Sequence, residues 1–364
     1  MRIWIAGGGT GGHVYPGLAV VQALAADEFD VLYVGGEGGV EGRLAERAGL
    51  RFVGIPAGGV HGLAPWRAAQ NFIKLMRGWW AAYRLGRQER PAALFATGGY
   101  ASVPVALAAW MLRSPILVYL PDIEPGLAVR VIARLAARVA VTVDDSHAYF
   151  PARKVVTTGY PVRAEFHELD RAGARAALGL ALDEPALLVM GGSRGARSIN
   201  QALSGVLEQI LELTQVVHVS GELDWPWVAE RRDGLVAELK SRYHAFPYLH
   251  EMGAAMAAAD LTVCRAGAST LGELPFFGLP ALLVPYPHAW RYQRVNAEWL
   301  AERGAALQVD DERLSEELLP TVRRLFADRA TLAEMAERMA ALACPEAAAR
   351  LAEELSSLVR RYAT

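Results

Sequence analysis

Short apolar runs recur along the chain, each followed by glycine or proline and then by a stretch with helical spacing. RIWIAG, DVLYVGG, RFVGIPA, ALFATGG, ILVYLP and RVAVTV are apolar almost throughout rather than at alternate positions. That is the pattern of strands buried on both faces of a parallel sheet. Between them, residues 15–26, 41–48, 65–88, 101–113 and 125–137 carry helical spacing. After KVVTTGYPVRAEF the series restarts with ALLVMGG (186–192), VVHVSG (216–221), YHAFPYL (243–249), DLTVCRAG (260–267) and ALLVPYP (281–287). The alternation predicts an α/β fold: two tandem Rossmann-like, doubly wound domains facing a cleft. The expected bounds are 1–162 and 163–340, with a C-terminal helix over 341–364 that has the option of packing back on the first domain.

Composition narrows the class. A chain of 364 residues suits two domains, and 53% hydrophobic content supports a sizeable core. A net charge of −2 disfavours a nucleic-acid partner. Cys264 and Cys344 lie far apart, outside any CxxC, which fits a reducing cytoplasm and argues against a disulfide framework. The N-terminus reads as a strand rather than a signal peptide, and no uncharged apolar run reaches membrane-spanning length.

Ligands of doubly wound sheets bind at the carboxyl ends of strands, and the glycine-rich loops fall there. The first is Gly7-Gly8-Gly9-Thr10-Gly11-Gly12, followed by His13 at a helix start. It satisfies GxGxxG, but it equally suits a sugar or a pyrophosphate. Gly98-Gly99, Gly191-Gly192-Ser193-Arg194-Gly195 and Gly267 close later strands. Strand-end loops in both domains suggest two facing ligands, the layout of a two-substrate transferase. A one-cofactor dehydrogenase needs one strong loop and an acidic residue closing the second strand, where Glu37 is a weak match.

Each side chain has a functional and an ordinary reading. His13 is a base near neutral pH or a helix cap. Ser193 bonds phosphate or caps a turn, and Arg194 and Arg197 add charge or are solvated. Glu273 accepts ribose hydroxyls or complements a helix N-terminus. Gln293 and Asn296 share a helix face and bond sugar hydroxyls or form a mixed polar face. Residues 65–88 combine Phe72, Ile73, Met76, Trp79, Trp80 and Tyr83 with Arg67, Lys74, Arg77, Arg84 and Arg87, and hold no acid. That suits an anionic lipid surface, or a buried helix with snorkelling arginines; Trp110, Met111 and Arg113 extend the patch. The eight histidines are scattered without metal-ligand spacing, and no GxSxG elbow occurs.

In order along the chain, GGGTGGHVYPGLAV, ATGGYASVPVALAAW, TGYPVRAEF, VMGGSRGARSIN, FPYLHEMGAAMAAADLTVCRAGASTLGELPFFGLPALLVPYP and HAWRYQRVNAEWL resemble the MurG family. These are peripheral membrane transferases within the two-domain GT-B glycosyltransferases. The resemblance implies inverting transfer of N-acetylglucosamine from UDP-GlcNAc to lipid I, giving lipid II for peptidoglycan, at the cytoplasmic face of the cell membrane. It implies no bound metal and no cofactor.

By position, it implies that Gly9, Thr10, His13, Gly98, Gly99 and Tyr100 face the acceptor, with Thr10, Gly11 and Gly12 also beside the transferred sugar. Arg163 and Ser193 would contact UDP, and the segment at Tyr248-Leu249 the uracil. Glu273 would take the ribose, Ala268, Ser269 and Thr270 the diphosphate, and Gln293 and Asn296 the GlcNAc. Trp79, Trp80 and Trp110 with Arg77 and Arg84 would dock on the membrane. His13 is the first candidate for the base.

The sequence departs from the family where HEQN is expected: residues 120–127 read LPDIEPGL. Asp122 or Glu124 is then an alternative source of base chemistry. The family's Gln-Gln pair is Tyr292-Gln293 here. A related transferase with another acceptor, a binding-only relative and a nucleotide-dependent oxidoreductase are the competing readings.

Overall fold

The computed structural model describes residues 1–9, 11–59, 65–192, 195–288 and 291–362, with main chain only at 65 and 67–69. It divides into two compact units, Met1–Arg163 with Cys344–Thr364, and Ala164–Ala343.

The first unit alternates β1 (Arg2–Gly7), α1 (Gly11–Ala23), β2 (Asp30–Gly36), α2 (Val40–Arg47), β3 (Arg51–Ile55), α3 (Pro65–Glu89), β4 (Ala93–Gly98), α4 (Ser102–Met111), β5 (Ile116–Leu120), α5 (Leu127–Leu135), β6 (Arg138–Val141) and β7 (Val155–Thr157). Its strands are parallel, in the order β3-β2-β1-β4-β5-β6-β7. The order reverses between β1 and β4, so the loops after these two strands meet at the switch point, where doubly wound sheets bind ligands.

The continuous apolar runs have a direct cause. Trp4, Ala6, Leu94 and Ala96 pack under α3, α4 and α5. Ile3, Ile5, Ala93 and Phe95 pack on the opposite face with Val14 and Val20 of α1. Successive side chains alternate between the two faces, and both faces are covered, so neither alternate set is polar.

The second unit runs α6 (Arg171–Leu178), β8 (Ala186–Met190), α7 (Arg197–Gly205), α8 (Leu207–Leu213), β9 (Gln215–Val219), α9 (Trp225–Asp233), α10 (Ala237–Lys240), β10 (Tyr243–Phe246), α11 (Met252–Ala258), β11 (Leu261–Cys264), α12 (Glu273–Phe277), β12 (Ala281–Leu283), α13 (Tyr292–Glu302), β13 (Ala306–Gln308), α14 (Leu314–Ala327) and α15 (Arg329–Ala340). The parallel order β10-β9-β8-β11-β12-β13 places its switch point between β8 and β11. The last helix, α16 (Ala347–Tyr362), belongs to the first unit, where Leu351, Leu355, Leu358 and Val359 join the α1 side of the sheet. Its Glu354 pairs with Arg138 at 3.2 Å.

Candidate active site

In the first unit, the loops after β1 and β4 touch backbone to backbone. Gly99 has φ +82°, and a Cβ there would lie 2.1 Å from the Gly8 carbonyl oxygen, so only glycine fits. His13 is clasped across the same switch point. Its Nδ1 lies 3.0 Å from the Thr97 carbonyl oxygen, and Thr97 Oγ1 donates back to the His13 carbonyl. A carbonyl only accepts, so Nδ1 carries a proton, and in the neutral form of the ring the lone pair is on Nε2. Nδ1 of His13 and the Val129 side chain of α5 each come within 3.2 Å of a Cβ built on Gly98. Tyr100 stands 39% exposed beside Gly9. Gly11 lies against the Tyr15 ring, and the Arg163 guanidinium sits 5.2 Å above that ring. Gly12 is half-buried at the second position of α1. Thr10 lies outside the described residues.

Asp122 and Glu124 follow β5, one strand further along. Ile123 is buried and its carbonyl accepts from Ser146 Oγ at 2.8 Å, which pins the segment. Tyr149 donates its hydroxyl to Glu124 at 3.0 Å. Burial, with the Asp122 carboxylate adding to it, pushes the Tyr119 hydroxyl well above its ordinary value.

In the second unit, Ser193 and Arg194 lie outside the described residues. The flanking turn closes with Gly195 N–H donating to Gly192 O at 2.9 Å. Arg197, which opens α7, pairs with Asp224 at 2.7 Å. Behind it lies a buried polar chain. Asn200 donates from Nδ2 to Ser220 O and Asp224, and its Oδ1 accepts from His218 Nε2 at 2.9 Å. His218 Nδ1 then accepts from the Tyr243 hydroxyl at 2.6 Å. Burial holds the His218 imidazole down at about 3, so it is neutral.

The loop after β11 is bolted down by Arg265. It donates to Val284 O at 3.1 Å and Ser198 Oγ at 2.7 Å, and it ion-pairs with Asp311. Thr270 is buried and donates to Gly267 O at 2.6 Å, so its hydroxyl orders the turn. Ala268 and Ser269 lie half-buried on the short 3₁₀ turn Ala268–Leu271. Glu273, half-buried, opens α12 just beyond it. Leu249 is half-buried after β10.

The polar face of α13 divides. Gln293 Oε1 accepts from Tyr286 N–H at 2.9 Å, while no described residue accepts from its Nε2. Asn296 is fully buried and donates to Ala266 O at 3.1 Å. Its Nδ2 therefore supports the loop after β11. A cavity of about 710 Å³, lined in part by Phe166, Phe276, Phe277 and Leu332, opens at the other end of this sheet, beside Pro185 and Asp260, and none of these loop residues lines it.

The aromatic patch also divides. Trp80 and Trp110 are 54% and 53% exposed, with Phe72, Ile73, Arg77 and Arg84 exposed around the same helices. Trp79 is half-buried, packed against the core with its indole N–H buried. No helix among the described residues is long and apolar enough to cross a membrane, and among them no cluster of His, Cys, Asp and Glu could hold a metal ion.

Sequence reasoning missed Thr97, Tyr15 and Glu41. Glu41 is a fully buried carboxylate beneath the first loop. Its one sequence signal is that it sits among the glycines of GGEGGVEG, where side-chain space has been removed around it.

Two parallel doubly wound sheets, each with glycine loops at its switch point, define a two-domain protein of the GT-B type. Residues 3–141 match the glycosyltransferase family 28 N-terminal domain and residues 186–351 the glycosyltransferase family 28 C-terminal domain. The chain belongs to glycosyltransferase family 28. It is 43% identical to the UDP-N-acetylglucosamine--N-acetylmuramyl-(pentapeptide) pyrophosphoryl-undecaprenol N-acetylglucosamine transferase of Roseiflexus sp. (strain RS-1), covering 100% of this chain and 96% of that one. The protein of the same name from Desulforudis audaxviator is 41% identical over 95% of each. Among solved structures, the chain resembles Acinetobacter baumannii MurG, with a TM-score of 0.77, 28% identity and 98% and 99% coverage.

Proposed function

We propose that this chain transfers N-acetylglucosamine from UDP-GlcNAc to the 4-hydroxyl of N-acetylmuramic acid in undecaprenyl-pyrophosphoryl-MurNAc-pentapeptide, lipid I, giving lipid II for peptidoglycan. The observation that carries this is identity of 43% along the whole chain to a transferase of that name.

The reaction is a single displacement. The acceptor oxygen attacks C1 of GlcNAc, the C1–O bond to the diphosphate breaks, and its electron pair leaves with UDP. The anomeric centre inverts. His13 takes the hydroxyl proton on Nε2, because Thr97 holds Nδ1 protonated and fixes the ring. Asp122 and Glu124 are the alternative bases; the Tyr149 hydroxyl already occupies Glu124. Gly9, Gly98, Gly99 and Tyr100 border the acceptor, and Thr10, Gly11 and Gly12 the sugar in transit.

In the second unit Glu273 receives the ribose hydroxyls. Ala268 and Ser269 meet the diphosphate on a turn that Thr270 orders, and Ser193 and Arg163 contact UDP. Leu249 borders the uracil. Gln293 offers its Nε2 to GlcNAc, and Asn296, whose Nδ2 also supports the loop after β11, lines the same sugar site. Trp80, Trp110, Arg77 and Arg84 settle on anionic lipid at the cytoplasmic face of the membrane, which brings the site to its lipid-linked acceptor.

The deciding experiment is transfer from radiolabelled UDP-GlcNAc to a lipid I analogue. Labelled lipid II is the expected product. No transfer to it, with transfer to another lipid, overturns the acceptor assignment; thermal stabilisation by NAD and not by UDP overturns the donor assignment.

A further inference from the structure

Glu41 is fully buried, and among the described residues no lysine, arginine or histidine pairs with it. Both of its oxygens are spent on backbone. Oε1 accepts from Gly36 N–H at 3.0 Å, at the end of β2. Oε2 accepts from Gly9 N–H at 3.4 Å, in the loop after β1. The two loops close around the carboxylate so tightly that a Cβ on Gly8 would lie 2.3 Å from Oε1, and one on Gly39 2.4 Å from its carboxyl carbon. From the other side the Gly99 backbone presses on the Gly8 carbonyl.

The Gly8 peptide is thus held between a carboxylate and the β4 loop. A carboxyl group buried with no cation is unfavourable unless its hydrogen bonds are kept, so these amides are held where Glu41 needs them. The Gly9 N–H is turned inward, away from any ligand, although Gly9 itself is exposed.

We infer that Glu41 is a positioning residue: it sets the peptide plane at Gly8-Gly9, and through it the distance between the acceptor loop and His13. It touches neither substrate. The inference rests on the reading of the first unit as the acceptor side.

Glu41→Gln tests it with almost no change of shape. The amide oxygen retains one backbone N–H, and the NH₂ group then faces the other donor to donor. The longer bond, to Gly9, is the one expected to yield. Hydrogen exchange of the peptide covering residues 6–13 should speed up in the variant, while peptides from Ala164–Ala343 remain as in the parent chain. In the transfer assay, kcat/KM for the lipid I analogue should fall on the order of tenfold to a hundredfold, with KM for UDP-GlcNAc and the melting temperature near parental values.

Unchanged exchange at 6–13 and unchanged kcat/KM would overturn the inference. So would a loss of UDP-GlcNAc binding and melting temperature in step with activity, since that marks a general structural role. If Glu41→Gln fails to fold, Glu41→Asp, too short to reach both amides, is read by the same two measurements. If the parent chain does not use lipid I, the functional reading fails, and exchange at 6–13 still decides the role of Glu41 by itself.

Discussion

At the scale of single residues, the roles proposed for His13 and Glu273 separate acceptor chemistry from donor binding, and two replacements test them. Replacing His13 by Ala removes the lone pair that Thr97 orients. Turnover should fall by a factor on the order of a hundred to ten thousand with KM for UDP-GlcNAc retained, as read in steady-state assays. Replacing Glu273 by Ala removes a carboxylate next to the loop that Arg265 bolts down, and leaves that bolt intact. UDP affinity by calorimetry should drop about tenfold, with melting temperature unchanged. His218 supplies a pH dependence. Its folded value is depressed to about 3, below the unfolded value. Between pH about 6.5 and that value the unfolded chain binds the extra proton, so stability falls as pH falls. The contribution is about 1.4 kcal/mol per pH unit in that window. Urea titrations at pH 6 and pH 5 should show that slope, and His218→Gln should lose it.

At the scale of elements, periodicity carried most of the information. Runs such as IWIA and ALFA are apolar at every position because each strand is covered on both faces. α3 shows the limit of the same signal. Trp79 and Trp80 are neighbours in an aromatic-basic stretch, yet one packs inward and the other is 54% exposed. Which side of an amphipathic helix meets the core depends on where α4 lies, and the local sequence does not hold that. Double replacement of Trp80 and Trp110 by Ser should reduce sedimentation with anionic vesicles several-fold and leave the melting temperature within a few degrees. Replacing Trp79 by Ala should instead destabilise the fold by about 1–3 kcal/mol, because its side chain is partly buried against the core.

At the scale of the whole molecule, α16 is the instructive element. It follows the second unit in the chain but completes the first, burying Leu351, Leu355 and Leu358 beside Ile5, Phe95 and Leu117. Removing Cys344–Thr364 should therefore raise hydrogen exchange across β1, β4 and β5 while Ala164–Ala343 retains its protection. The sequence by itself determined the α/β class, the two series of strands, the glycine loops at strand ends and the position of His13. All of these follow from local periodicity and from the backbone freedom of glycine, which act within a few residues. Only the tertiary structure decided that β1 lies beside β4, that Thr97 fixes the His13 tautomer, that Asn296 faces inward, and that Glu41 sits beneath the first loop. Those depend on which distant groups share a buried volume, and there most polar atoms take whatever partner the fold happens to bring.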